Sequence, residues 1–342
     1  MHITVKSCIL LALSITCLLL GWQGVSVSSG ANYSNAESTV TSLPVVKSSI
    51  IIDRTIPDIS GSYADIPVAG QTVEDTQMDF RERWLAERVP RGNTIEVISG
   101  NSRVIVAVLD TGIDSEHEDL INTVINEVNL TESPVTTDIH GHGTHIAGII
   151  AADVDNGLGI EGIAPDCLLL NVKVADDKGG CHASDLVEGI IWSVNHGADI
   201  INISIQIEEY SSALEEAVDY AWNSGVAVIA AAGNDGSDVS VYPAGYDNCI
   251  SVTALKNETD MAPLANFGDW IDAAAPGYRV YSTLPGNTYG YKHGTSFAAA
   301  FVTGIAAELY PTVIDTNANG RTNDEIRDLI LSLCGFDSPD RE

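Results

Sequence analysis

Four runs of aliphatic and β-branched residues, separated by helical patterns, constrain the fold of this chain most strongly. The runs lie at 103–109, 168–174, 200–205 and 226–232, and such continuous apolar runs are typical of strands buried on both faces. Helical patterns cover 183–195 and 212–224, and Gly225 ends the second one. Strand–helix alternation predicts an α/β fold of three layers, with a mostly parallel central sheet and helices on both faces.

One further helical segment, 296–307, carries no charge and is apolar nearly all round. A helix of this kind must be buried inside the domain. It follows Gly294 and Thr295 directly, so the hydroxyl of Ser296 is expected in the positive field of the helix N-terminus.

The charge balance excludes two classes of partner. The 342 residues include 47 acidic and 16 basic ones, a formal net charge of −31, although charged residues make up only 18% of the chain. Such a surface repels phosphate backbones and anionic lipid headgroups. Nucleic-acid binding is therefore excluded, and no segment after the N-terminus is apolar enough to cross a membrane.

The N-terminus has the pattern of a secretory signal peptide. Lys6 precedes a short apolar core at 7–20, and small and polar residues follow. We expect residues 1–30 to be a signal peptide and the protein to be secreted; the alternative is an uncleaved anchor at the cell surface. Residues 31–75 lack a periodic pattern and contain Pro44, Pro57 and Pro67, which indicates a pro-segment or linker. The folded domain is expected at 76–336, with a tail at 337–342.

Cysteine usage leaves two alternatives open. Cys8 and Cys17 lie in the predicted signal peptide, and four cysteines remain: Cys167, Cys181, Cys249 and Cys334. In an oxidising compartment they can form up to two disulfides, in any of three pairings. The alternative is that they are free buried thiols.

Four polar residues stand at the ends of predicted elements, where open α/β sheets place their ligands. Asp110 ends the first strand, His142 opens a helix, Asn234 follows another strand, and Ser296 begins the buried helix. A carboxylate, an imidazole, an amide donor and an alcohol are the groups that acyl transfer requires.

Parts of this set also fit two other chemistries. Asp110-Thr111-Gly112 also occurs in aspartic proteases, but their mechanism needs two carboxylates and this tripeptide occurs once. His140, His142 and His145 have the composition of a zinc site. The glycines between them fit a tight turn into a helix equally well.

Taken in order, the four residues and their flanks resemble the subtilase family, the subtilisin-like serine proteases. The resemblance runs from about residue 84 to 334. It is carried by four blocks: Asp-Thr-Gly-Ile-Asp from Asp110, His-Gly-Thr-His-Ile-Ala-Gly from His142, Ala-Ala-Gly-Asn ending at Asn234, and Gly-Thr-Ser-Phe-Ala around Ser296. The resemblance implies a subtilisin-like peptidase domain over 76–336.

The resemblance also implies the roles of these residues. Ser296 would attack the scissile carbonyl, His142 would accept and return its proton, and Asp110 would orient the imidazole. The Asn234 side chain and the Ser296 backbone N–H would hold the oxyanion. The implied activity is that of a secreted, monomeric serine endopeptidase acting on protein or peptide substrates, with no cofactor for catalysis. The alternative is a catalytically silent binding module with the same fold.

Segments that bind the substrate backbone by β-augmentation in this family are also identifiable. They are Ser204-Ile205-Gln206, Gly179-Gly180 and Ala231-Ala232-Gly233. The chain departs from the family where Gln206 and Ile207 replace the usual glycines, where Cys181 replaces a glycine, and at Val241, which is expected at the bottom of the primary pocket. We therefore expect a narrowed cleft or altered subsite preference.

A structural calcium site is the last feature that the resemblance implies. Its ligands would be the side chains of Asp119 and Asn156 and backbone groups of Val154, Leu158 and Ile160. Carboxylate, amide and carbonyl oxygens suit a hard cation. An ordinary acidic turn is the alternative interpretation.

Overall fold

The computed structural model describes residues 49–51, 76–88 and 103–336. They belong to the compact unit Val45–Glu342, and the first unit, Met1–Pro44, lies outside the described residues. The expected signal peptide 1–30, most of the expected pro-segment 31–75 and the tail 337–342 also lie outside them. These domain boundaries therefore stay predictions.

Eleven strands and six α-helices are described, numbered here along the chain. The strands are β1 (Ser49–Ile51), β2 (Ile105–Asp110), β3 (Val124–Asn129), β4 (Leu168–Lys173), β5 (Gly180–His182), β6 (Ile200–Ile203), β7 (Ala227–Ala231), β8 (Ile250–Leu255), β9 (Ala273–Pro276), β10 (Val280–Leu284) and β11 (Thr288–Lys292). The α-helices are α1 (Thr76–Arg88), α2 (His142–Ala151), α3 (Ala183–Asn195), α4 (Ser212–Asn223), α5 (Thr295–Leu309) and α6 (Asn323–Cys334), and a short 3₁₀ helix spans Tyr310–Thr312.

A seven-stranded parallel sheet forms the centre, in the spatial order β3-β4-β2-β6-β7-β8-β9. The four predicted strands are confirmed as β2, β4, β6 and β7, neighbours in this sheet. Two small antiparallel pairs, β1 with β5 and β10 with β11, lie outside it. Because β2, β6 and β7 are adjacent and parallel, their carboxyl ends meet at one edge, where Asp110 and Asn234 lie.

Alternate residues of β2 show the three layers. Val106 and Val108 pack in the core that includes α2 and α5, whereas Ala107 and Leu109 pack in the core that includes α3 and α4. Side chains of successive strand residues point to opposite faces, so a strand covered on both faces must be apolar throughout. The predicted three-layer α/β fold with helices on both sides is confirmed.

Helix α5 is the buried helix predicted at 296–307. It spans Thr295–Leu309, and of its 15 residues only Glu308 is not buried. Gly294 precedes it with φ 146° and ψ 167°, a backbone conformation essentially open only to glycine. Within the described residues no helix combines the length and apolar character needed to cross a bilayer.

The four cysteines outside the predicted signal peptide are free buried thiols, so the disulfides expected as one alternative do not form. Cys167 and Cys334 lie in the core on one face of the sheet, and Cys181 and Cys249 lie in the core on the other. Burial raises the pKa of the Cys167 and Cys334 thiols to about 12, so these thiols are inert apolar groups in the core at neutral pH.

Candidate active site

The carboxyl end of β2 and the first residue of α2 bring a carboxylate against an imidazole. Nδ1 of His142 lies 2.8 Å from Oδ1 and 2.9 Å from Oδ2 of Asp110. Both residues are buried, with exposures of 3% and 0%. With the Nδ1 proton donated to the carboxylate, the imidazole is held in the tautomer whose Nε2 can accept a proton.

Thr111 holds the Asp110 carboxylate through Oδ1, the oxygen that His142 also contacts. The Thr111 backbone N–H donates to Asp110 Oδ1 at 2.7 Å, and its hydroxyl lies 3.2 Å from the same oxygen. The N–H of Gly143, in the first turn of α2, donates to the Thr111 hydroxyl at 3.1 Å. The strand end and the helix start are thereby joined around the Asp110–His142 pair.

Asp138 is a second buried carboxylate, and it fixes the loop that leads into α2. Its Oδ1 accepts the Thr111 hydroxyl at 2.9 Å and the Gly141 N–H at 2.8 Å. Its Oδ2 accepts the Thr144 N–H at 2.9 Å and the Thr144 hydroxyl at 2.8 Å. A carboxylate at a helix N-terminus is favoured by the helix dipole, and here it sets the position from which His142 projects.

The candidate nucleophile Ser296 lies in the first turn of α5 and is 1% exposed. Its hydroxyl lies 3.5 Å from the Ser204 carbonyl oxygen, and the Ser204 hydroxyl donates to the Ser296 carbonyl at 3.2 Å. The ring of the next residue, Phe297, packs against His142 with 5.4 Å between ring centroids. The first turn of α5 is therefore beside the imidazole.

The loop after β7 is attached to the same helical turn. The Thr295 N–H donates to Oδ1 of Asn234 at 2.9 Å, and the Gly233 N–H donates to the Thr295 hydroxyl at 3.0 Å. The hydrogen bond from Thr295 fixes which way the Asn234 amide is turned: its oxygen faces the helix start, and its Nδ2 group remains as the side-chain donor. Asn234 and Ser296 are thus held at one helix N-terminus, where positive potential favours an anion.

Two of the three predicted substrate segments follow neighbouring strands of the central sheet, and the third lies at β5. Ser204, Ile205 and Gln206 follow β6, and Ala231 ends β7 with Ala232 and Gly233 after it. Gly180 lies in β5, and Gly179 precedes it with φ +83°. The N–H of Gly180 donates to Asp176 at 2.8 Å, which closes the turn before β5. The segments after β6 and β7 therefore lie at the edge of the sheet where Asp110 and Asn234 lie. Gly179 lies outside that sheet but beside the helix start, since a Cβ atom built on it would be 3.2 Å from Nε2 of His140.

The three neighbouring histidine side chains do not point at one common position. His142 contacts Asp110, whereas Nε2 of the fully buried His145 lies 3.1 Å from the Gly290 carbonyl oxygen. The ring of His140 lies 6.3 Å from that of His142. Within the described residues, no three metal-ligating His, Cys, Asp or Glu side chains converge.

The loop predicted to bind calcium folds around Asp119, which is fully buried. Asp119 accepts Nδ2 of Asn156 at 2.6 Å and the Ile160 N–H at 3.0 Å, while the Leu158 N–H donates to Oδ1 of Asn156 at 2.8 Å. Val154 donates its N–H to Asp153. The donors that reach Asp119 from this loop are neutral, so its buried carboxylate is a suitable oxygen ligand for a hard divalent cation, although Asn156 presents its Nδ2 and not its oxygen to Asp119.

Comparison with known proteins assigns the family. The model of the subtilase family, Peptidase_S8, matches residues 101–335, which contain every residue of the site described above. The chain belongs to the subtilase family.

This subtilase is similar to several named proteinases of the family. It is 41% identical over 236 residues to the thermophilic serine proteinase of Bacillus sp. strain AK1, covering 69% of this chain and 57% of that protein. It is 40% identical over 242 residues to subtilisin of Bacillus pumilus, covering 69% and 85%. A cold adapted subtilisin-like serine proteinase of known structure superposes with a TM-score of 0.60 at 28% identity, covering 67% of this chain and 81% of that one.

Sequence reasoning missed the residues that hold the subtilase site together. Thr111 and Thr295 contact predicted site residues directly. Asp138 acts one step further out, because it binds Thr111 and the start of α2, and Lys173 donates to the carbonyl of Thr111. A buried-strand lysine at position 173 and an acid four residues before His142 were visible signals. Their partners are distant in sequence, so only the fold identifies them.

We expect His145 to make the folded protein sensitive to acid. Burial lowers the pKa of His145 to about 3, whereas an unfolded histidine titrates near 6.5. Between these values the unfolded chain binds a proton that the folded protein does not. The free energy of unfolding therefore falls as pH drops from about 6.5 towards 3, by up to about 1.4 kcal/mol per pH unit for this group.

Denaturant unfolding between pH 7 and 4.5 measures this effect, in a Ser296→Ala background that prevents self-digestion. His145→Gln can still donate to Gly290 and should flatten the pH dependence. His196→Gln, a change at an exposed histidine, is the matched control and should leave the slope unaltered. Equal slopes in all three proteins would contradict the assignment.

Proposed function

We propose that this protein is a secreted serine endopeptidase that hydrolyses peptide bonds of protein or peptide substrates. The buried contact between Asp110 and His142, beside Ser296 at the start of α5, is the observation that carries the proposal. Membership of the subtilase family and the similarity to serine proteinases support it. An acidic monomer without a catalytic cofactor is the form proposed.

Each residue has a defined step in the proposed mechanism. His142 Nε2 takes the proton of the Ser296 hydroxyl as Oγ attacks the scissile carbonyl, and later delivers it to the leaving amine. Asp110 stabilises the resulting imidazolium without taking the proton. The negative charge that develops on the carbonyl oxygen is held by Asn234 Nδ2 and the Ser296 backbone N–H, both fixed before reaction begins.

A fluorophosphonate probe tests this mechanism, because it reacts only with an activated serine. The wild-type protein should be labelled at Ser296 and should cleave a peptide library, and Ser296→Ala should do neither. Asn234→Leu should lower kcat by about 10²–10³, the magnitude known for subtilisin's own oxyanion asparagine, with KM changed much less. A folded wild-type protein that resists the probe would instead be the silent binding module.

We further propose that calcium bound by Asp119, Asn156 and the carbonyls of the 154–160 loop stabilises the fold. The buried Asp119 carboxylate supports this, because a cation would supply positive charge where the contacts described above supply only neutral donors. Calcium here is a structural ligand and takes no part in catalysis.

Chelation tests the calcium proposal. A cation at about 100 times its Kd stabilises the folded state by about 2.7 kcal/mol, so EDTA should lower the Tm by about 5–10 °C. Asp119→Asn should abolish both this shift and calorimetric calcium binding. Asp155→Asn removes the same charge from an exposed position of the loop and should retain both. An EDTA-insensitive wild-type Tm would refute the site.

We also propose that residues 1–30 direct export and that 31–75 is an inhibitory pro-segment. Its residues Ser49–Ile51 form β1, which pairs antiparallel with β5, Ser49 opposite His182 and Ile51 opposite Gly180. Strand β5 contains part of the predicted substrate-binding segment. A strand that occupies this edge occupies the place of a substrate backbone.

A peptide of sequence 45–56 tests the pro-segment proposal. Added to the processed enzyme, it should inhibit competitively, raising KM with kcat unchanged, because it binds where the substrate binds. A scrambled peptide of the same composition is the control. Absence of inhibition, or inhibition by both peptides alike, would show that β1 does not occupy the substrate cleft.

A further inference from the structure

The ends of β6 and β7 define a gap beside the candidate nucleophile. The two strands are parallel neighbours, with Ile203 opposite Ala230. Strand β6 continues into Ser204–Gln206, and β7 continues into Ala232–Asn234. Ser204 is hydrogen-bonded to Ser296, and Asn234 to the preceding residue of the same helical turn. If the scissile carbonyl of a substrate lies between the Ser296 hydroxyl and Asn234, the substrate residue that carries this carbonyl lies over the gap.

The side chain of Gln206 crosses the gap from one wall to the other. Its Oε1 accepts the backbone N–H of Asn234 at 3.2 Å, and its Nε2 donates to Oδ2 of Asp235 at 2.7 Å. Gln206 is 8% exposed. The two hydrogen bonds use both ends of the amide, so the side chain is fixed in the gap and does not extend into solvent.

The remaining space next to Gly233 is also occupied. A Cβ atom built on Gly233 would lie 2.7 Å from Oε1 of Gln206, 2.6 Å from Nδ2 of Asn266 and 3.3 Å from Cγ2 of Val241. Val241 is held in place because Ile207 and Tyr242 exchange two backbone hydrogen bonds of 2.7 and 2.8 Å. The space beside Gly233 is thus filled by the side chains of Gln206, Asn266 and Val241.

We propose that Gln206 is a specificity-determining residue that restricts the substrate residue on the N-terminal side of the scissile bond to Gly, Ala or Ser. This inference rests on the proposed endopeptidase function. A larger side chain at that substrate position would have to displace an amide that makes two hydrogen bonds across the gap, one of them to the backbone of Asn234. Its entry would also disturb the loop that holds the oxyanion.

A matched substrate series tests the proposal. Quenched fluorescent peptides that differ only at this position, with Ala, Ser, Leu or Phe, are compared by kcat/KM. The wild-type enzyme should prefer Ala and Ser over Leu and Phe by about tenfold or more, the discrimination that side-chain size in a pocket provides. Gln206→Gly and Gln206→Ala should each raise the Phe-to-Ala ratio by about tenfold or more. Two variants are used so that the failure of one to fold leaves the other informative.

Glu208→Gly is the matched control, because Glu208 is an exposed residue just beyond the gap. It should show the wild-type ratio. A wild-type enzyme that prefers Phe or Leu, or an unchanged ratio in folded Gln206 variants, would overturn the inference. Labelling of Ser296 by the fluorophosphonate probe in the same samples separates failure of this inference from failure of the proposed function. A labelled enzyme that prefers Phe or Leu refutes only the role of Gln206. An unlabelled enzyme refutes the proposed function.

Discussion

The rest of the site depends on how the buried N-terminus of α5 satisfies its backbone. The first N–H groups of a helix have no partner within it, and burial removes water as a substitute. In this protein the side-chain oxygen of Asn234 accepts the Thr295 N–H, and the Thr295 hydroxyl accepts the N–H of Gly233. The hydrogen bonds that let this helix start be buried therefore also hold the candidate oxyanion donor Asn234 against the same first turn that carries the candidate nucleophile Ser296.

Much of the architecture was predictable, because it follows from local patterns. Helix α3 occupies the predicted range 183–195, and the buried helix was found from its lack of charge. The order of Asp110, His142, Asn234 and Ser296 at the ends of predicted elements indicates the candidate site from the sequence alone. The bridge of Gln206 to Asn234, 28 residues away, was not predictable, because side-chain partners across a sheet edge depend on register and packing. The cysteines show the same limit, since spacing alone did not separate free thiols from disulfides.

Lys173 is a buried cation in a chain that has few basic residues. Only 16 residues are Lys or Arg, yet Lys173 is fully buried in β4, where its ammonium donates to the Thr111 carbonyl and lies 3.0 Å from the Asp177 carboxylate. The Lys173 hydrogen bond lowers the pKa of Asp177. A buried ammonium is costly unless paired, so this cation belongs to the framework that fixes the chain just after Asp110.

Strand β5 has a second neighbour on its other side, since Cys181 forms an isolated bridge with Ala175. Only one further strand can therefore join it, and residues 49–51 take that position. A covalently tethered strand acts at an effective concentration in about the millimolar range, whatever the dilution of the protein. A diffusing peptide must reach that concentration, or bind more tightly, to compete equally, so cutting the covalent link would lower the occupancy of this edge by residues 49–51.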